Sequence, residues 1–146
     1  MGLIVIRPTG AGRQIYAGNG SLDALRFFEN CQQAVIVDAM QPAQHPGQIV
    51  QFDARLVSQS SCSQRLLSMH ALSIPELLQT MANSHGQWPD KIEVFAIEAQ
   101  NIAAFEPGLT EVVANRIDEL ADRIEHYLNE LSVYASHAAA RHLSSN

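Results

Sequence analysis

The run Ala34-Val35-Ile36-Val37-Asp38-Ala39 constrains this chain more than any other segment. Its apolar residues fall on both faces of an extended strand, which suits a sheet position covered from each side rather than one open to water. Asp38 comes at its end, where an ionised carboxylate is costly unless it is paired or metal-bound. Leu3-Ile4-Val5-Ile6 is a second, shorter run of this kind, stopped by Pro8, Gly10 and Gly12. Residues 13–17 and 91–97 also read as strands, and residues 48–52 alternate polar and apolar like an edge strand.

Helical patterns lie between these runs. Ser21 is placed to cap a helix with Asp23 in its first turn, and Leu22, Leu25 and Phe28 form its apolar face as far as Asn30. Ser73-Ile74-Pro75-Glu76 opens another that runs to about Asn83: a capping Ser, a Pro in the first turn and a Glu three residues on. Thr110 caps the longest, whose Val113, Ile117, Leu120, Ile124, Leu128 and Leu131 keep the spacing of one buried face. Residues 54–67 are Ser/Gln-rich without a period and read as mostly loop. The alternation predicts an α/β fold. We expect a single three-layer domain over residues 1–135, with a mostly parallel sheet, an antiparallel edge strand and helices on both faces. Residues 136–146 are expected to be a disordered polar tail.

Composition excludes several functions. The 146 residues carry 9 Lys and Arg against 15 Asp and Glu, a formal charge of −6, which argues against a nucleic-acid footprint. A hydrophobic fraction of 47% is too high for a disordered chain. The apolar run at residues 2–6 is far shorter than a membrane span of about 20 residues. Cys31 and Cys62 stand apart, as thiols of a cytosolic protein do, and do not suggest a disulfide framework.

In open α/β sheets ligands bind beyond the carboxyl ends of the strands. Asp38 is therefore either the cap of the following loop or a ligand or acid at the binding edge. His70, in Ser68-Met69-His70-Ala71-Leu72-Ser73, is either an exposed or structural histidine or an imidazole aimed at the same edge. Together they would suit a transition metal, nickel or zinc among them. Gly18-Asn19-Gly20 reads as a tight turn, with an anion site on its backbone N–H groups as the alternative. Gly10-Ala11-Gly12 is not a dinucleotide fingerprint, because Ile15 takes the third glycine position. His45, His126, His137 and His142 read as solvated. No GxSxG or HExxH motif occurs.

The order of these pieces resembles the hydrogenase maturation endopeptidases, which trim a C-terminal extension from the large subunit of [NiFe]-hydrogenase. Gly18-Asn19-Gly20-Ser21 with Leu22 and Leu25 is similar to the family's glycine-rich loop and helix. The Asp38 run is similar to its metal-binding strand, and Pro46-Gly47-Gln48-Ile49 to its edge strand. The His70 segment is similar to its metal-binding histidine segment. Val94-Phe95-Ala96-Ile97-Glu98 and Gly108-Leu109-Thr110 resemble its later strand and the start of its closing helix. The resemblance covers about residues 15–131. It implies an α/β fold, Asp38 and His70 as catalytic and metal-binding residues, nickel supplied by the substrate, and a hydrogenase large-subunit precursor as partner. It further implies a monomeric cytoplasmic protein that binds neither nucleic acid nor membrane.

The chain departs from the family pattern in two places. No Asp or Glu precedes Asp23, although the family places its third, acidic ligand early. Ala99-Gln100 stands where the family has Pro-Glu. These departures leave two alternatives: a non-catalytic or truncated member that only binds the precursor, and an unrelated α/β domain holding an anionic metabolite at Gly18-Asn19-Gly20.

Overall fold

The structure, a computed structural model, describes residues 4–7, 13–16, 22–54, 74–101 and 108–143. In chain order its elements are β1 (Ile4–Arg7), β2 (Arg13–Tyr16), a 3-10 helix (Leu22–Phe27), β3 (Gln33–Met40), β4 (Ile49–Asp53), α1 (Ile74–Asn83), β5 (Lys91–Glu98), α2 (Glu111–Ala114) and α3 (Ile117–Leu143).

The strands form one sheet in the order β2-β1-β3-β5-β4. β3 and β5 run parallel at its centre, in register from Gln33 beside Lys91 to Met40 beside Glu98. β4 lies antiparallel on β5 as the edge strand. β1 is antiparallel to both β2 and β3. Parallel pairing is thus concentrated in the β3–β5 centre, for a reason of connection length. Residues 8–12 are too few for a crossover and allow only a hairpin between β1 and β2, whereas the long connection through β4 and α1 lets β5 return parallel to β3.

The sheet is covered on both faces, as the doubly apolar run in β3 requires. On one face Ala34, Ile36, Met40, Ile92, Val94 and Ala96 pack with Phe28 and with Leu77 and Met81 of α1. On the other Val35, Val37, Ile49, Phe95 and Ile97 meet Val113 of α2 and Leu120 and Tyr127 of α3. Phe28, Val35, Ile36, Val94, Phe95 and Ile97 are the largest fully buried side chains. Each contributes roughly 1.5–3 kcal/mol relative to exposure.

Three elements differ from the sequence expectation. The segment before β3 is a 3-10 rather than an α-helix; it ends at Phe27, and Asn30 in the turn that follows takes φ 58. Asn tolerates this left-handed conformation better than most residues. The closing helix is split, because Asn115 N–H donates to Glu111 O but Arg116 N–H donates to Val113 O. That single tighter turn separates α2 from α3. Finally, α3 continues to Leu143 through residues expected to be a polar tail. Its Ala138-Ala139-Ala140 stretch has the highest helix propensity, and each added residue gains a bond once a helix is nucleated. The Ser/Gln-rich stretch at 55–67, Cys62, and the caps proposed at Ser21 and Ser73 lie outside the described residues.

Candidate functional site

Asp38 and Glu98 end the two parallel central strands on the same edge of the sheet. Asp38 lies beside Ala96, and Glu98 beside Met40, one pleat repeat further along. Strand alternation puts both acids in the rows of Ile36, Met40, Val94 and Ala96, on the α1 face. Asp38 is 3% exposed and Glu98 4% exposed. Burial at this depth demands hydrogen bonds for the carboxylates. Asp38 Oδ1 accepts the Ala39 N–H at 2.8 Å.

Glu98 is held by the loop of residues 41–48. Its Oε1 accepts the N–H groups of Ala43 and His45, each at 2.8 Å. Its backbone joins the same loop: Gly47 N–H donates to Glu98 O, and Glu98 N–H to Gln48 O. The loop must cross the end of β5 because it links β3 to β4, which lie on either side of that strand. Gly47 takes φ +81, and a Cβ there would stand 3.1 Å from Val112 O and 3.3 Å from Arg116 Cγ. Only glycine meets both demands.

His70 lies outside the described residues, four positions before α1 begins, and so do Gly18, Asn19 and Gly20. Asp38 is thus located at the expected edge, and its relation to His70 is not among the described contacts. Among the described residues no group of three or more His, Cys, Asp or Glu is gathered to hold a metal ion. His45 and His126 are exposed, as expected. His126 Nε2 approaches Glu130 Oε1 at 3.5 Å. Cys31 is buried, and its Sγ–H donates to Phe27 O at 3.6 Å. Glu98 is not among the residues that the motifs single out. Its signal was the one that marked Asp38: an acid closing a run of buried apolar residues, here Val94 to Ile97.

A second polar cluster occupies the opposite end of β5, on the α3 face. Glu93 accepts Gln51 Nε2 at 3.0 Å and the Tyr127 hydroxyl at 3.4 Å. Lys91 Nζ lies 3.9 Å from Glu93 Oε2 and 5.2 Å from the centre of the Tyr127 ring. Hydrogen bonding with Tyr127 raises the Lys91 pKa above its ordinary value, while burial raises that of Tyr127. This end lies at the amino end of β5, away from the edge where α/β sheets bind ligands. It ties α3 to the sheet.

The architecture is that of an α/β protein whose acidic groups cluster at the carboxyl edge of a central parallel strand pair. The family model described as "HycI: Hydrogenase maturation protease" matches residues 12–127, and the chain belongs to that family. Two solved structures share the fold: the hydrogenase maturating endopeptidase HybD from E. coli, and an endopeptidase from Escherichia coli solved in solution. Each is 20% identical, with a TM-score of 0.60 over 80% of this chain and 70% of its own. No curated protein matches the sequence. Among the described residues no helix is long and apolar enough to cross a membrane.

Proposed function

We propose that this chain is the endopeptidase that removes the C-terminal extension of a nickel-loaded [NiFe]-hydrogenase large-subunit precursor, with Asp38 and His70 recognising the nickel. The observation that carries the reading is the position of Asp38, buried at the carboxyl edge of β3 within the span that matches the family. The His70 segment directly precedes α1 in the sequence. The chain beyond α1 returns to the opposite edge, where Asn30 N–H donates to Gln87 O and Asp90 N–H to Gln32 O. Leu77 and Met81 pack on the face that carries Asp38.

Nickel is cargo of the substrate in this reading, and carboxylate and imidazole are donors it accepts. A precursor without nickel offers Asp38 and His70 nothing to bind, so cleavage is conditional on the loaded centre. Hydrolysis then adds water across one peptide bond, hydroxyl to the acyl carbon and proton to the departing amine. The protein works as a monomer in the cytoplasm.

A second reading is favoured by one observation: no Asp or Glu precedes Asp23 to supply an early acidic ligand. In it the chain binds the precursor without cutting it. Incubation with nickel-loaded and nickel-free precursor, read by mass spectrometry and by titration, separates the two. Shortening of the loaded form alone supports the endopeptidase. Binding without shortening supports the second reading, and the absence of both binding and shortening overturns the two readings together.

A further inference from the structure

We infer that Glu98 is a positioning residue for substrate recognition: it locks residues 41–48 as a rigid lip beside Asp38, and this lip receives the extended C-terminal segment of the substrate polypeptide. The inference rests on the endopeptidase reading and adds a residue and a surface to it. The lip leaves β3 two residues after Asp38 and rejoins the sheet at Ile49 of β4. Four bonds to one residue hold it, two to the Glu98 carboxylate and two to its backbone. Bonds from N–H groups to a carboxylate are about twice as strong as neutral ones. The anchoring leaves Ala43, Gln44, His45 and Pro46 exposed, with their backbone fixed from below. The Gln44 amide and the His45 imidazole, carried on this anchored backbone, can exchange hydrogen bonds with the N–H and C=O groups of an extended peptide. A prefixed loop also avoids the ordering cost that a mobile one would incur on binding. Glu98 itself is buried and does not reach the substrate.

The test compares full-length wild type with Glu98→Leu and Glu98→Gln. Amide hydrogen exchange at Ala43 and His45 is measured alongside precursor processing. Glu98→Leu removes the acceptor, so both amides exchange at least about tenfold faster, and KM for the precursor rises about tenfold with kcat within about twofold. Glu98→Gln keeps a carbonyl oxygen for the same N–H groups and restores most of both effects, which a loss of charge alone would not allow. Should Glu98→Leu fail to fold, Glu98→Gln decides, with intermediate exchange and intermediate KM as the expected result. Unchanged exchange overturns the anchoring, and faster exchange with unchanged KM overturns the recognition role. If wild type leaves the loaded precursor intact, the endopeptidase reading fails by itself. Precursor affinity then replaces KM, and equal affinity of wild type and Glu98→Leu overturns the lip.

Discussion

Asp38 stands directly beside Ala96 in the parallel register of β3 and β5. The neighbouring position on its face therefore carries only a methyl group, and no bulky side chain from β5 crowds the buried carboxylate there. Replacing Asp38 by Asn exchanges one oxygen for a nitrogen and adds no heavy atom, so it does not overpack this position.

Asp38→Asn is the informative change, because the amide oxygen can still accept the Ala39 N–H. Processing of loaded precursor should fall at least about 100-fold, close to 2.7 kcal/mol of lost transition-state stabilisation. Thermal unfolding by circular dichroism should show the fold retained. Processing at the wild-type rate would remove Asp38 from the reaction.

Phe95 is fully buried and meets Tyr127 edge to face, with ring centres 5.7 Å apart. Phe95→Ala should cost about 3–5 kcal/mol, a large part of the roughly 5–15 kcal/mol that stabilises a domain. Urea unfolding measures it, and a loss below about 1 kcal/mol would place the α3–sheet contact outside the core.

Gly47→Ala places a side chain at φ +81 against Val112 O. A cost of about 1–2 kcal/mol is expected from the left-handed backbone alone. Because Gly47 N–H donates to Glu98 O, the strain should also loosen the lip. Exchange at His45 would report this; protection equal to wild type would contradict it.

The Thr110 hydroxyl is buried and makes no hydrogen bond among the described residues, although Thr110 occupies the N-cap position of α2. An N-cap Thr normally contributes about 1 kcal/mol. Here Thr110→Val should change stability by less than about 0.5 kcal/mol, since no bond is lost. A loss of a full kcal/mol in chemical denaturation would reveal a working cap.

Tyr127 and Lys91 hold their protons more tightly in the fold than their ordinary values of 10.0 and 10.5. Their contribution is complete below those values and is lost as pH rises through the higher folded ones, because the unfolded chain releases protons first. Stability should decline in the alkaline range above about pH 10, and Tyr127→Phe should flatten that decline. Urea midpoints followed across this range check it, with parallel curves for the two proteins as the contrary result.

Local chemistry was enough to locate most elements and the edge. Val35, Ile36 and Val37 identify a strand buried on both sides because no residue among them tolerates water, and the structure covers both of its faces. The spacing of Val113, Ile117, Leu120 and Ile124 likewise identifies the face that α2 and α3 turn to the sheet. Asp38 stood out for a reason legible in one dimension, a charge ending an apolar run. Chain connectivity decided the rest. The antiparallel placement of β1, the diagonal of Asp38 and Glu98 across β3 and β5, and the closure of residues 41–48 over the Glu98 carboxylate each join positions distant in sequence. Periodicity reports which side of a segment is dry, but the partner of a buried acid is chosen by the strand order, and that emerges only when the whole sheet has assembled.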